Sequence, residues 1–320
     1  MAANIAHWLN SDVLSNEFLS AELVEQGRID HYQFGKRARD RYGQLFAPGY
    51  HPLRYKFMSS ELSRTSESAM AFSIGLFEGT GSVGRSNVQP IFLRTLPMGR
   101  ELELASKFAC PAWRAGFDVV KRTVIEKEIV KFDHKYVIPS LPLLRNMTGV
   151  DLTNDDLSVL YQACGFEYAI TGEAARLCSV LTDDDRLLLE YRSDIKYSYK
   201  YSNAGAEINS YLGCDLLASM LGQIEERIQL DLDPTISDGK TDKIATRGVF
   251  RFGHSETIYF LSNILKPRWP ALGTSGPGNG SGDGDDHDDG LDTVTDVLLP
   301  GSIESLKGDW PIDRIKNRNF

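Results

Sequence analysis

The sequence predicts an α/β fold: a mainly parallel sheet flanked by helices, with a helical domain inserted into the chain of the sheet. Two segments carry this prediction, YKFMSSELSRTSESAMAFSIGLF at residues 55–77 and VFRFGHSETIYFLSNIL at residues 249–265. In each, an apolar stretch typical of a strand leads through a polar turn into residues at helical spacing. The third observation is the helical character of the residues between them.

We expect residues 1–100 and 243–320 to form the α/β core and residues 101–242 to form the mainly helical inserted domain. At the start of the core, residues 16–46 have the pattern of one long amphipathic helix. The residues that recur there among charged ones are Leu19, Leu23, His31, Phe34 and Leu45. We interpret the charged cluster around them as a solvated face.

A strand and a helix follow in the core. Leu53, Tyr55 and Phe57 alternate with polar residues as in a strand. After the turn, Ala69, Phe72 and Leu76 fall on one side of a helix. Residues 78–90, rich in glycine and polar side chains, predict a loop, and residues 91–97, IFLRTLP, predict a second short strand.

The helical region contains two predicted helix starts. Thr153 with Asp156, and Thr182 with Asp185, have the hydroxyl-then-acid spacing of a helix N-cap. Two stripes at helical spacing follow these caps: Leu157, Leu160, Tyr161 and Cys164, then Leu188, Tyr191, Ile195 and Tyr199. Such stripes are more typical of helix packing than of a ligand site. A buried-type strand, GVFRFG, ends the region.

Composition excludes several classes of protein. The chain has 320 residues, 42% hydrophobic and 25% charged, which is typical of a globular protein. A net charge of −9 disfavours a general nucleic-acid-binding role, so polyanions would need a local basic pocket. No apolar run reaches the ~18 residues of a transmembrane helix, and the residues identify no protein partner.

The cysteines and the first residues bear on the compartment. Four cysteines are present without CxxC spacing, and buried thiols and disulfides remain equal alternatives. The first 18 residues lack the basic start and continuous apolar stretch of a signal peptide, so the chain read literally begins in the cytosol. The sequons at Asn146 and Asn279 matter only in a secreted protein.

Residues 273–290, GTSGPGNGSGDGDDHDDG, predict a disordered surface loop, because Gly, Ser and Asp bury too little apolar area to offset the entropy of ordering. A loose similarity to a calcium loop involves Asp285, His287, Asp289, Gly290 and Asp296. The flanking helices and the final Glu of such a loop are missing. We therefore expect no metal site and no cofactor.

Arg64 is the first candidate site residue. It follows a strand and begins a helix, where free backbone N–H groups and the helix dipole favour an anion. Its planar guanidinium can bind two phosphate oxygens at once. The alternative is a surface ion pair with Glu61 or Glu67, and the local pattern alone favours that alternative.

His254 and Glu256 occupy the second strand-to-helix turn. A histidine there can donate to a phosphoryl oxygen, and a glutamate can protonate a leaving alkoxide if a dry site raises its pKa. The alternative is an ordinary helix start in which Glu256 complements the dipole. Taken alone, each segment favours the structural alternative.

Together the segments resemble the histidine acid phosphatases, specifically the multiple inositol polyphosphate phosphatase branch. The similarity runs from about residue 20 to residue 268. It includes Gly27 and His31 in LVEQGRIDHYQFGKRARDRYGQLF, the arginine segment SSELSRTSESAMAFSIGLF, and the helical segment of residues 164–199. FGHSET matches the His-x-Glu form of a motif that is His-Asp in most histidine acid phosphatases. KNRNF resembles a segment beyond a variable insertion.

The resemblance implies the phosphoglycerate mutase-like histidine phosphatase fold and a two-step phosphomonoester hydrolysis through a phosphohistidine. It implies that Arg64 and His254 bind phosphate, and that Glu256, with His254, belongs to the catalytic proton-transfer region. The implied substrates are small-molecule phosphate esters: inositol hexakisphosphate, lower inositol phosphates and 2,3-bisphosphoglycerate. It also implies a Cys164–Cys178 disulfide and a place in the endoplasmic reticulum lumen, outside the cell or at a membrane.

The sequence departs from the family pattern at the nucleophile. Its six histidines are His7, His31, His51, His134, His254 and His287. None lies in an Arg-His-Gly context, so the nucleophile is absent from this chain, and we expect a sequence truncated at both ends relative to the family. Two other hypotheses are a non-catalytic polyphosphate-binding protein and a partner of a full-length enzyme.

Overall fold

The computed structural model describes residues 21–140, 145, 149, 151–173, 177–202, 205–232 and 246–265. The strands are β1 Tyr55–Ser60, β2 Leu93–Leu96 and β3 Gly248–Phe252. The helices are α1 Glu25–Arg41, α2 Gly43–Phe46, α3 Ser63–Leu76, α4 Ser106–Ala109, α5 Pro111–Val120, α6 Glu126–Phe132, α7 Asn154–Thr171, α8 Asp183–Tyr201, α9 Ile208–Tyr211, α10 Cys214–Leu232 and α11 Ser255–Leu265. Short 3₁₀ helices lie at Met98–Arg100, Ile138–Ser140 and Cys178–Val180, and π-helical turns at Lys121–Ile125 and Asp133–Val137.

The described strands form one parallel sheet in the order β2-β1-β3. The central strand β1 pairs with β2 from Phe57 opposite Leu93, and with β3 from Tyr55 opposite Gly248. This confirms the predicted parallel sheet and all three predicted strands. Because the strands are parallel, their carboxyl ends meet at one edge, where ligands of open α/β sheets gather.

An aromatic core covers one face of this sheet. The buried residues Tyr55, Phe57, Leu76 and Phe77 form it. The rings of Phe57 and Phe250 stack across the β1–β3 pair with centroids 4.8 Å apart. Stacked aromatic pairs stabilise a fold by about 0.5–1.5 kcal/mol beyond the area that they bury, so this core fixes the two strands whose ends carry the candidate site.

Helices α1 and α3 pack against each other through two glycines. A Cβ atom at Gly35 would lie 2.1 Å from the carbonyl oxygen of Phe72, and one at Gly75 would lie 2.0 Å from that of Tyr32. Real Cβ atoms do not approach so closely, so both positions need glycine. The helix backbones touch directly at this crossing, which fixes the start of α3 relative to α1.

The prediction of one long helix over residues 16–46 is wrong in its bounds. Residues 16–20 lie outside the described residues, and α1 begins only at Glu25, because Ala21 has a positive φ of 63° and Val24 is extended. The helix ends at Arg41, since Tyr42 leaves the helical region before α2. Phe34 is 52% exposed and does not face the core.

Between β2 and β3 the residues that the structure describes are mainly helical. Both predicted caps are present as reciprocal capping boxes, Thr153 with Asp156 and Thr182 with Asp185. The predicted stripes contribute to a core of α6, α7 and α8, in which Leu157 and Ile195 are buried. Partly buried against it are Leu160, Tyr161, Leu188, Tyr191 and Tyr199. Stripe packing, rather than a ligand site, is therefore the correct interpretation.

A disulfide joins Cys164 and Cys178, as the family resemblance implies. Beside it, the buried carboxylate of Glu167 accepts the backbone N–H groups of Leu177 and Cys178, at 2.8 and 3.2 Å. Cys110 and Cys214 are free thiols. The disulfide and the carboxylate together hold Leu177 and Cys178 against α7.

A third core links the sheet's last helix to the helical region. Phe260 of α11 packs with Trp113, Tyr201 and Leu212. The Trp113 indole donates to the Asn209 side-chain oxygen at 2.7 Å, so its polar atom is satisfied in the interior. This core places α8 beside the start of α11, which matters for the site.

Several predictions fall outside the described residues. These are the disordered loop at 273–290 with its calcium-like pattern, the segment KNRNF and both sequons. Within the described ranges, no helix has the length and apolar character needed to cross a bilayer.

Candidate phosphate-binding site

The candidate site lies at the carboxyl edge of the sheet. Strand β1 ends in Ser59 and Ser60, which are fully buried, and α3 begins three residues later. Strand β3 ends at Phe252, opposite Ser59, and His254 follows just before α11. Two strand-to-helix turns therefore stand side by side, with two helix N-termini at one edge.

Ser60 connects the two turns. Its Oγ atom lies 3.0 Å from Nε2 of His254 and 3.0 Å from Oγ1 of Thr65, and the Thr65 hydroxyl lies 3.0 Å from the Ser60 carbonyl oxygen. Burial lowers the pKa of His254; Glu256 opposes this effect, while the positive charges of Arg64 and Lys107 reinforce it. His254 is thus an oriented imidazole that is mainly neutral near pH 7 and turns cationic only in acid.

Arg64 stands in the first turn of α3, half-exposed. Its Nη1 atom donates to the Ala21 carbonyl oxygen at 3.3 Å, and the described residues include no carboxylate paired with it. The predicted alternative does not occur: the Glu67 carboxylate binds Arg28 at 2.8 Å, and that of Glu61 accepts the Met98 N–H at 3.1 Å. The positive charge of Arg64 lowers the pKa of His254, the other predicted phosphate ligand.

Glu256 occupies the first turn of α11 and is buried. Its carboxylate forms an ion pair with the Lys107 ammonium, and both side chains are largely shielded, with 11% and 16% exposed. Burial raises the pKa of Glu256, but the hydrogen bond and charge of Lys107 and the nearby His254 outweigh burial and lower it. The condition set above for a proton donor, a raised pKa, is therefore not met by Glu256, because the Lys107 ammonium stabilises its ionised form.

Lys107 lies on the short helix α4, which two hydrogen bonds hold beside α11. The Thr257 hydroxyl donates to the Leu104 carbonyl oxygen at 2.7 Å, and the buried Glu101 carboxylate accepts the Leu104 N–H at 3.1 Å. These bonds fix the start of α4 against α11. Sequence reasoning missed Lys107, because a lysine in LELASKFAC matches no motif and its partner is far along the chain.

Lys107 is one of four lysines that interact through their charges, here called the lysine group: Lys107, Lys121, Lys196 and Lys200. The ammoniums of Lys107 and Lys200 lie 5.6 and 4.8 Å from the Tyr201 ring centroid. Burial lowers the pKa of Lys200, and the charges of the other three lysines lower it further, against the opposing charge of Glu256. Among the described residues, Glu256 is the one carboxylate paired with a member of the group.

Two signals could have located part of the lysine group. Lys196 and Lys200 are four residues apart on α8, so they share a face. Lys121 opens a π-helical turn between α5 and α6, and such turns are frequent at functional sites. The turn itself has no sequence signature, which is why Lys121 was not predicted.

His31, part of the family-like pattern, lies on α1. It lines an open groove of about 950 Å³ between α1, α3 and β3, whose lining includes Phe34, Arg37 and Arg251. Burial lowers the pKa of His31. Within the described residues, no cluster of His, Cys, Asp and Glu side chains could hold a metal ion.

Comparison with known proteins supplies the family. Residues 4–279 match the histidine phosphatase superfamily (branch 2). The chain is 30% identical over 210 residues to multiple inositol polyphosphate phosphatase 1 of Dictyostelium discoideum, covering 63% of this chain and 32% of that protein. It is 23% identical over 261 residues to the Homo sapiens protein of the same name, covering 78% of this chain and 50% of that protein. The chain thus spans half or less of these relatives.

The fold is also similar to a solved structure, the phytase from D. castellii. The TM-score is 0.50 at 19% identity, with 75% of this chain and 46% of that chain covered. This likeness concerns the fold, and it agrees with the parallel sheet and helices described above. The match over residues 4–279 shows that the chain belongs to the histidine phosphatase superfamily, branch 2.

Proposed function

We propose that the protein serves phosphomonoester hydrolysis of inositol polyphosphates, with inositol hexakisphosphate as the representative substrate. One observation carries the proposal: the ends of β1 and β3 bring Ser60 within 3.0 Å of His254, two residues before the ion pair of Glu256 with Lys107. Arg64, in the first turn of the helix after β1, supports it. The curated relatives named above are inositol polyphosphate phosphatases by name, which supports the same substrate class.

The phosphoryl group under attack would lie at the sheet edge. Arg64 has an unpaired guanidinium there among the described residues, and the N-terminal turn of α3 adds backbone N–H groups. His254 is oriented by Ser60 and becomes a cation when an anion raises its pKa. This arrangement fits an anion with several oxygens better than a neutral ligand.

The remaining phosphates of the substrate would face the lysine group. Four ammoniums with one paired carboxylate leave a local excess of positive charge in a protein of net charge −9. Such a patch raises the local concentration of polyanions and slows their release. We therefore expect inositol hexakisphosphate to bind more tightly than 2,3-bisphosphoglycerate, and inositol itself not to bind.

The lack of an Arg-His-Gly nucleophile motif in these 320 residues favours a second candidate function. None of the six histidines in these 320 residues lies in an Arg-His-Gly context. Removing a covalent nucleophile abolishes the main catalytic route and leaves only the residual rate that binding and electrostatics provide. This observation favours non-catalytic binding of inositol polyphosphates by this chain as the alternative to hydrolysis.

We also propose an oxidising compartment, such as the endoplasmic reticulum lumen or the cell exterior. The Cys164–Cys178 disulfide supports this setting, because disulfides are rare in cytosolic proteins.

Two measurements on the purified chain test the proposal together. Isothermal titration calorimetry with inositol hexakisphosphate gives binding, and phosphate release at acidic pH gives hydrolysis, each beside Glu256→Gln. Binding with release that falls in the variant supports hydrolysis. Binding without release supports the second candidate. Failure to bind inositol hexakisphosphate would reject both functions.

A further inference from the structure

Lys107 and Glu256 form an ion pair at the centre of the site. The pair joins α4 to the first turn of α11, two residues after His254. Both side chains are mostly shielded from water, so the pair is stronger than a surface ion pair. An ionised carboxylate bound to an ammonium accepts hydrogen bonds and cannot donate a proton.

The surroundings of this pair hold more positive than negative charge. The Glu256 carboxylate interacts with the charges of Lys107, which lies on α4, and of His254, which lies in its own turn. Its charge also acts on Lys200 and Tyr201 of α8. Arg64 acts on the same cluster through His254. Lys107 and Lys200 approach the same Tyr201 ring, and Lys107 also binds the Glu256 carboxylate.

A phosphate ester that enters this cluster competes with Glu256 for Lys107. It carries more charge than the carboxylate, and it can accept hydrogen bonds from Lys107 and Lys200 at the same time. Lysine has a long flexible stem and can change partners without moving the backbone. Once Lys107 leaves, burial and the charge of the anion both favour the protonated form of the carboxyl.

We propose that ligand binding transfers Lys107 from Glu256 to the ligand, and that the released Glu256 carboxylate takes up a proton from solvent. Glu256 thereby becomes a carboxylic acid, the form that can donate a proton, only when a ligand is bound. The proposal rests on the proposed function, since it needs an anion at this site, and it assigns Lys107 the part of a positioning residue. It also reconciles the lowered pKa of unliganded Glu256 with a role as an acid.

Proton uptake on binding tests this inference. The probe is inositol hexasulfate, which is not a phosphate ester and has no titrating proton near the chosen pH. Calorimetry at about pH 5.5 in two buffers of different ionisation enthalpy gives the protons taken up per bound probe. At this pH an unperturbed glutamate, with a pKa of about 4.3, is mostly ionised, and the pKa of Glu256 is lower still.

Glu256→Gln removes the proposed acceptor, so we expect wild type to take up more protons than this variant, approaching one extra proton per probe. The uptake that persists in the variant belongs to His254. Lys107→Met removes the ammonium whose transfer the inference requires, so its proton uptake should fall towards that of Glu256→Gln. Lys107→Arg keeps a cation at this position, so its proton uptake should match that of wild type. The control is Lys36→Met, on α1, where the lysine pairs with Glu78, and its proton uptake should also match that of wild type.

Equal uptake by wild type and Glu256→Gln, with the probe bound to both, would overturn the inference and leave the proposed function standing. So would wild-type uptake in Lys107→Met, or a structure with the probe bound and Lys107 still on Glu256. If the probe binds to none of these proteins, the proposed function fails, and the inference fails with it. A merely structural ion pair would change thermal stability in Lys107→Met without changing the protons linked to binding.

Discussion

Ser60 at the end of β1 lies 3.0 Å from His254 after β3, although 194 residues separate them in the chain. The contact joins Oγ to Nε2 and makes one site of two strand-to-helix turns. It fixes the orientation of the imidazole in a position where a free histidine ring would rotate. The candidate site therefore depends on a buried serine that touches no charged group.

Ser60→Ala should weaken the binding of inositol hexakisphosphate. The variant removes the hydroxyl that orients His254 and bonds to Thr65, and one net hydrogen bond contributes about 0.5–1.5 kcal/mol, or up to roughly tenfold in affinity. Titration calorimetry measures the change. The matched control is Ser73→Ala, a buried serine of α3 whose hydroxyl donates only to the Met70 carbonyl oxygen. Equal affinity in both variants would refute a role for Ser60.

Binding of inositol hexasulfate should strengthen as the pH falls from about 7 towards 5. Burial holds the pKa of His254 below its ordinary value of 6.5, so the ring gains its charge only in acid, and an anion favours the charged form. The slope of the affinity against pH should be shallower in His254→Asn than in wild type, and unchanged in the control His134→Asn. A slope that is identical in all three proteins would contradict this prediction.

The lowered pKa of His254 also predicts how the stability of the protein alone depends on pH. The unfolded histidine binds its proton at a higher pH than folded His254, so this residue makes the folded state less stable as the pH falls through about 6.5. Denaturant unfolding across this range should show a smaller loss in His254→Asn than in wild type. An equal loss would show that His254 does not contribute.

Gly35→Ala should destabilise the fold. Its Cβ atom would lie 2.1 Å from the Phe72 carbonyl oxygen, so α1 and α3 must separate, and overpacking of this kind typically costs about 1–3 kcal/mol. The control is Gly116→Ala on α5, where no atom lies within 4 Å of the added Cβ and alanine favours the helix by up to about 1 kcal/mol. Urea unfolding of both variants gives the comparison. A neutral Gly35→Ala would mean that the helices are not in direct contact.

Replacing both Cys164 and Cys178 by alanine should lower the free energy of unfolding. On the chain-entropy account, a bridge between residues 14 apart raises the free energy of the unfolded chain by about 3 kcal/mol, because it removes conformational entropy. Reduction should bring wild type close to the double variant and leave that variant unchanged. Cys214→Ala, at an exposed free thiol, should stay near wild type. Resistance of wild type to reductant would contradict this expectation only if the reduced thiols are verified by alkylation.

The sequence predicted the elements whose signals are local. Alternation in YKFMSS, the continuous run in GVFRF and the two Thr-x-x-Asp caps depend on neighbouring residues, and the structure has all of them. One topological rule, that the carboxyl ends of parallel strands share an edge, led us to expect Arg64 and His254 at the same edge, and their convergence on one phosphate stays a prediction.

Features that depend on distant partners were not predicted. The pKa of Glu256 is set by Lys107, a residue of another helix, so no pattern around Glu256 could reveal its direction. Likewise, the amphipathic pattern of α1 pointed to Phe34, whereas the contact with α3 is made at Gly35. A glycine within a helix gives no local sign that another backbone will lie against it.

The most direct test of the account is the affinity of the purified chain for inositol hexakisphosphate, measured beside Arg64→Met and Arg85→Met. Arg64 has no carboxylate partner among the described residues at the site edge, and Arg85 is an exposed arginine of the 78–90 loop. We predict that Arg64→Met weakens binding by about ten- to a hundredfold, since charge-assisted hydrogen bonds contribute about 1.5–3 kcal/mol, and that Arg85→Met leaves it unchanged. Equal affinity in the two variants, or no binding by wild type, would contradict a phosphate site at the carboxyl ends of β1 and β3.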